Sequence, residues 1–208
     1  FQDRSHTFAI AARPASIPAE QAIWNVNVRG RRGHISQTYP LPQYDFVPRD
    51  LHVTAGSWVH FQWTGASHWP SRYYGMGSRG TDRHNVVQIA NMSTNFPLPL
   101  DQVTMFTPEQ AKLFAMVGQQ ERGPEACQSL TEIRDDVKYY DTLPWAEKTK
   151  KAGEVRMRLT NCAILNQADP YFNHEPIQYN QAGATYYYMC TRNNRPGYAP
   201  QKGAIYVE

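Results

Sequence analysis

Several residues in this chain have the types that could do chemistry. Cys127, Cys162 and Cys190 allow one disulfide and leave one thiol over. Asp82 near His84, and Glu175 beside His174, are the acid/base candidates. Neighbours on a strand point to opposite faces, so His174 and Glu175 do not make a dyad, and Asp82 with His84 is not read as one either. No Gly-x-Ser-x-Gly and no His-Glu-x-x-His pattern appears. Gly75-Met76-Gly77-Ser78-Arg79-Gly80 has the glycine content of a phosphate loop, but no P-loop lysine follows it and no helix opens after it. It reads as a surface turn. Function has to be argued from a site, and none of these is a catalytic one, so the chain is expected not to be an enzyme. Arg192, Asn193, Asn194, Arg195 and Gln201 supply many donors in one closing loop and are expected to lock it as a polar network. Asn91-Met92-Ser93 is an N-glycosylation sequon, compatible with secretion. Trp58, Trp69, Tyr73 and Tyr74 would suit sugars, but aromatic residues of this kind are read first as core or interface anchors.

The elements that position these residues read mostly as strands. Thirteen Tyr, five Trp and fifteen Pro among 208 residues favour strands and ordered loops over a helical bundle. With 41% hydrophobic and 19% charged residues, the chain can bury one sizeable core. The expected organisation is an arm at 1–20, with a short strand at Thr7 to Ala11, followed by a single domain over 21–208. A net charge of +3 is small, and the basic residues are scattered apart from Arg29, Arg31 and Arg32 and the Lys148, Lys150 and Lys151 group, so nucleic-acid binding is not called for. No run approaches the roughly 18 apolar residues of a membrane-spanning helix, and no signal peptide is visible. A start at Phe1 points to a processed protein or a piece of a longer one.

Trp24, Val26 and Val28 alternate with Asn25 and Asn27, giving a first strand expected at a sheet edge. Tyr39 to Tyr44 carries two prolines and is an extended connector. In the stretch Phe46 to Trp63, Leu51 and Val53 alternate with polar neighbours, Ala55-Gly56-Ser57 makes a turn, and Val59, Phe61 and Trp63 restart the period; this reads as a sandwich hairpin. Thr64 to Thr81 is a long loop, and His84 to Ile89 a further strand. Thr107-Pro108-Glu109-Gln110 is a capping box with Pro at the first helical position, and Val117-Gly118 is its stop. Further helices are expected at Leu130 to Asp136 and Trp145 to Lys151, making a mostly helical insertion at about 104–153. Val155, Met157 and Leu159 resume the sandwich, which Tyr171-Phe172, Ile177, Thr185 to Cys190 and Ala204 to Val207 complete. Cys127 precedes the second helix and Cys162 follows the resumed strand. Connectivity stays open on sequence, and the favoured pairing is Cys127 with Cys162, which would pin the insertion to the sandwich.

An apolar segment ending in Pro, a short alternating strand, Ala-Gly-x and Val-x-Phe-x-Trp together resemble the central hairpin of cupredoxins. Arg83-His84-Asn85-Val86-Val87 looks like the strand bringing in the first copper-binding histidine, and Tyr186 to Thr191 with Lys202 to Val207 like the last two strands. The resemblance implies a mainly β, Greek-key cupredoxin-like β-sandwich, with Cys190 where the copper thiolate would sit. A blue-copper site takes two neutral imidazoles, a thiolate and often a weak axial Met. The loop from Cys190 to Gly203 contains neither His nor Met, and Arg195 stands near the place of the second imidazole. A guanidinium cannot be deprotonated to bind a metal. His68 or His174 could complete a site only by rearrangement.

Thr-Arg-Asn-Asn followed by Gln-Lys-Gly, Gly-Thr-Asp-Arg-His-Asn and Trp-Asn-Val-x-Val-Arg-Gly are similar to the secreted, often multi-repeat cupredoxin-like proteins first described from a slime-mould developmental transcript. That similarity, from about Trp24 to Val207, implies secretion and repeated domains but no characterised reaction. The expectation is therefore a non-catalytic, secreted structural or interaction protein without a cofactor. Its partners would be copies of itself or neighbouring repeats, met through edge strands and the N-terminal arm. The alternative is a copper-binding electron carrier with an atypical site at His84 and Cys190.

Overall fold

The period-two apolar runs of the sequence become the two faces of a sandwich. In the computed structural model, residues 12–29, 44–65, 83–118, 142–147, 168, 171–195 and 199–208 are described, with side chains excepted at 192–195 and 199. The strands are β1 (Ile23–Arg29), β2 (Asp45–Val47), β3 (Asp50–Val53), β4 (Ser57–Thr64), β5 (Val87–Ile89), β6 (Tyr171–Asn173), β7 (Ile177–Tyr179), β8 (Thr185–Arg195) and β9 (Ala199–Val207). One sheet runs β2-β1-β4-β6, with β7 also on β4, and the other runs β3-β9-β8-β5. Both are mixed, since β1 is parallel to β4 and β3 parallel to β9 while the remaining pairs are antiparallel. The architecture is the mainly β sandwich that the sequence predicts. Val26, Val59, Phe61 and Trp63 from the first sheet meet Leu51, Val53, Tyr186, Tyr188 and Ile205 from the second in one core.

The alternation in Phe46 to Trp63 holds, but the two strands do not pair with each other as a hairpin. Strand β3 lies in one sheet and β4 in the other, so the turn between them carries the chain across the core. Its hydrogen bonds show this. The Ala55 N–H donates to the Glu208 carbonyl beyond the end of β9 (2.8 Å), while the next N–H, that of Gly56, donates to Tyr179 in β7 (2.8 Å). Gly56 takes a φ of +89°, which a residue without a Cβ adopts at no steric cost. Periodicity specifies which side chains face the core, not which strand lies alongside. For the same reason β1, expected at an edge, is interior between β2 and β4.

The helix α1 (Pro108–Met116) begins as its sequence dictates. The Gln110 N–H donates to Thr107 Oγ1 (3.2 Å) and the Thr107 N–H to Gln110 Oε1 (3.0 Å), which completes the capping box. Its exit comes one residue earlier than expected, with Val117 already left-handed at φ 53° and the Gly118 N–H closing back on Leu113 (3.3 Å). A 3-10 turn at Leu100–Gln102 precedes the helix and was not anticipated from sequence. Residues 145–147 are helical, with Trp145 84% exposed. The helix expected at Leu130 to Asp136, the strand at Val155 to Leu159, the first eleven residues, and Cys127 and Cys162 with their expected disulfide lie outside the described residues. Of the arm, residues 12–20 lie against the domain, with Ile17 buried and the Arg13 guanidinium donating to the carbonyls of Ile17, Pro18 and Gln21. Among the described residues, no helix is long and apolar enough to cross a membrane.

The closing segment departs most from its sequence reading. Cys190 to Gly203 is not a loop: β8 continues to Arg195 and β9 starts at Ala199, paired through Asn194↔Pro200 and Arg195↔Ala199 after an irregularity beyond Met189. Gly203 permits this pairing, because a Cβ there would stand 2.5 Å from the ring of Tyr188, a fully buried side chain. Gly203→Ala is expected to lower unfolding stability by about 1–3 kcal/mol, the usual cost of forcing extra volume into a packed core. In urea titrations, shortening the opposing ring with Tyr188→Leu should make the second substitution cheaper, so that the double variant loses less than the sum of the singles.

Candidate functional site

Residues 83–86 run into β5 and are buried although three of the four are polar. They are held from several directions. The Asn85 carboxamide donates to Ala115 O in the last turn of α1 (2.9 Å) and to Thr191 Oγ1 (3.0 Å), and its Oδ1 accepts the Thr191 N–H (2.9 Å). The Val86 N–H donates to Phe114 O (3.2 Å), and Arg83 Nε to Ala168 O (2.6 Å). Here the strand expected from His84 forms a ladder only at Val87–Ile89; upstream, side-chain and helix-end acceptors replace the ladder. The register Val87↔Met189, carried on by the Asn85–Thr191 contact, sets Val86 level with Cys190 and His84 two residues further on. His84 and Cys190 are therefore diagonal neighbours across two strands, a spacing of about 7–8 Å between backbones.

Their surroundings are those of a closed core. His84 is 1% exposed and Cys190 0%. Nδ1 of His84 lies 3.2 Å from Oε1 of Gln201, itself fully buried in β9, and the Tyr44 ring meets the imidazole edge-on at 4.6 Å. With a Gln carbonyl as acceptor, Nδ1 carries the proton. Gln201, expected to help lock the closing segment, is the partner of His84. The side chains of Arg192, Asn193, Asn194 and Arg195 lie outside the described residues, as do Asp82, His68, Trp69, Tyr73 and Tyr74.

A type 1 copper site needs two imidazoles and a thiolate. The described residues bring one imidazole, one thiol and one carboxamide, and the imidazole nitrogen facing the carboxamide is already hydrogen-bonded to it. His174 does not complete the set: its Nδ1 lies 2.6 Å from the backbone oxygen of Glu175, and its ring packs 4.9 Å from Phe114. That bond also shows that His174 and Glu175 do not pair through the carboxylate. Among the described residues no group of three or more His, Cys, Asp or Glu is placed to hold a metal. The donor set does not fit copper.

The family model of the DD3-3 cupredoxin-like domain matches residues 21–207. The chain belongs to this family. No curated protein matches it. Membership agrees with the similarity seen in Trp24 to Val207 and with the two-sheet sandwich.

Three polar positions that sequence reasoning passed over hold this region. Gln88 sits between Val87 and Ile89, and its Oε1 accepts the N–H groups of Thr104 and Met105 (both 2.8 Å). Lys202, 3% exposed, donates from Nζ to Met92 O (2.8 Å) and Thr94 O (2.6 Å); burial and the Arg49 charge lower its affinity for the proton. Polar residues interrupting apolar strands were the available signal. Asp45, beside Tyr188, is pushed up to about 6 by desolvation, against the opposing pull of Arg49 and the Phe46 N–H, while burial with Asp45 and Asp50 nearby pushes the Tyr188 phenol far up.

The folded Asp45 carboxyl keeps its proton to about pH 6, whereas an unperturbed one releases it near 3.8. Folding thus takes up a proton between those values, and stability falls as pH rises from about 4 to about 6. Asp45→Asn should flatten that segment of the profile. Urea midpoints measured at half-unit steps across it check this, and an unchanged slope in the variant would assign the dependence to another group.

Proposed function

We propose that this chain is a non-catalytic, extracellular structural or interaction module: a cupredoxin-like unit that holds its former metal end together by hydrogen bonds, working within a larger chain or assembly. The buried His84–Gln201 pair carries the reading. A second imidazole is missing from the closing segment, and Gln201 offers His84 a neutral acceptor in its place. The His84 Nδ1–Gln201 Oε1 contact ties the lead-in of β5 to β9 without a metal.

The outer face of the first sheet supports the interaction half of the proposal. His60 Nδ1 lies 3.0 Å from Asn25 Oδ1 and its Nε2 2.6 Å from Asn173 Oδ1, while Gln62 Nε2 donates to Asn25 Oδ1 (3.0 Å). Together with exposed Tyr171, this is an ordered imidazole, amide and aromatic surface that spans three strands. Such surfaces suit neighbouring protein domains, because their groups are positioned beforehand. The N-terminal arm is a second contact element in this proposal.

Elemental analysis of the native protein, a visible spectrum after addition of Cu(II), and sedimentation over a range of concentrations test both halves. The expected result is no stoichiometric copper, no intense thiolate-to-copper band, and mass above that of a monomer in the full-length protein. Stoichiometric copper with a band abolished by Cys190→Ser would overturn the proposal in favour of an electron carrier with ligands at His84 and Cys190. A strict monomer at high concentration would remove the assembly role.

A further inference from the structure

The segment after β5 folds back over the second sheet on the side away from the core. Ile89 bridges to Pro97, the Leu98 N–H donates to Gln88 O (2.8 Å), and the buried Lys202 ammonium holds the carbonyls of Met92 and Thr94. Met189 and Ala204, on the same side as Lys202, are 2% and 0% exposed beneath this strap. At its outer bend stands Asn91, exposed, in the only Asn-x-Ser/Thr sequence of the chain in which x is not Pro.

We infer that Asn91 Nδ2 carries an N-linked glycan, and that the strapped side of the second sheet is thereby kept out of protein contacts. The inference rests on the extracellular reading above. The geometry separates the two ends of the Asn91 carboxamide. Oδ1 accepts the Ser93 N–H (3.0 Å), the Ser93 Oγ–H (2.5 Å) and the Thr94 N–H (3.2 Å), whereas among the described residues Nδ2 makes no hydrogen bond. Donors gathered on the oxygen draw electron density toward it and make an Nδ2 proton easier to remove, while Nδ2 itself stays accessible. The folded strap also leaves the attached group in solvent, so the modified chain folds without displacing anything.

In the transfer, Nδ2 forms a bond to the anomeric carbon of an oligosaccharide carried on a lipid pyrophosphate. The anomeric carbon–oxygen bond to the pyrophosphate breaks, the amide proton passes to a base of the transferase, and the lipid pyrophosphate leaves. Nothing is oxidised or reduced. Because Lys202 fixes the strap on both sides of Ser93, the glycan is mounted on a rigid base and not on a loose loop. Phe96, five residues beyond Asn91 in the same strap, is 80% exposed. Protein contacts then fall to the outer face of the first sheet.

Glycopeptide mass spectrometry tests this, with enzymatic release of the glycan in heavy-oxygen water to mark Asn91 as labelled Asp. Two samples are needed, the protein from its native source and the full chain sent through a eukaryotic secretory pathway behind an added leader. Labelled Asp at position 91 in both, lost completely in Asn91→Gln and Ser93→Ala and kept in Ser93→Thr, is expected. Modification only in the forced sample overturns the glycan in the native protein because the extracellular reading fails. An unmodified Asn91 in both samples overturns the site itself.

Discussion

One chain of aromatic contacts joins every layer of this domain. Phe46 meets Tyr188 edge-on at 4.9 Å, Tyr188 meets Phe61 at 5.8 Å, Phe61 meets Phe114 at 5.3 Å, Phe114 meets Phe172 at 5.1 Å, and Phe172 stacks on Trp63 at 4.4 Å. The path starts in the first sheet at β2, crosses to the second at β8, returns to the first at β4, and passes through the helix back to β6 and β4. Rings in these arrangements add about 0.5–1.5 kcal/mol per pair beyond their burial, so the path fixes geometry as well as stability. Phe114 sits at its crossing, fully buried, and the backbone carbonyls of Phe114 and Ala115 are the acceptors that hold Val86 and Asn85. The helix thereby sets the position of His84.

That constraint is what the proposed metal-free reading of this end relies on. In a copper protein the ion would hold the strands at this end. Here the Asn85 carboxamide ties helix to β8 and Gln201 joins β9 to His84, across Cys190 in the strand between. These are directional bonds in a water-poor interior, where leaving any of the buried groups unmet costs about 1–3 kcal/mol. The polar cluster is therefore expected to specify one packing as strictly as a metal would, provided its members are satisfied together.

Much of the fold was legible because local chemistry dictated it. Thr107 to Gln110 encodes a capping box whose two bonds are local, and the alternation of Val59, Phe61 and Trp63 encodes a buried face. Naming His84 and Cys190 together came from the family pattern in their flanking residues, not from any local chemistry. What could not be read was non-local. Alternation at Leu51 and Val53 is the same whether the next strand pairs beside them or crosses to the other sheet, and the crossing is decided by carbonyls of Tyr179 and Glu208 far along the chain. The closing strands were mistaken for a loop because polar residues and Pro196-Gly197 mark a turn without showing how far the ladder reaches toward it. Gln201, Asn85 and Lys202 likewise look like surface residues in sequence, and only their burial reveals them as internal fasteners.

The central claim is that His84 is held by Gln201 and not by a metal. Long-range nitrogen-proton NMR of the His84 ring, recorded on the metal-free protein and again after equilibration with excess diamagnetic Cu(I), reads this atom by atom. The account predicts a proton on Nδ1 in both samples, ring nitrogen shifts that agree between them, and a change only when Gln201→Ala removes the acceptor. Loss of the Nδ1 proton with a shift of that nitrogen on adding Cu(I), abolished by Cys190→Ser, would contradict it.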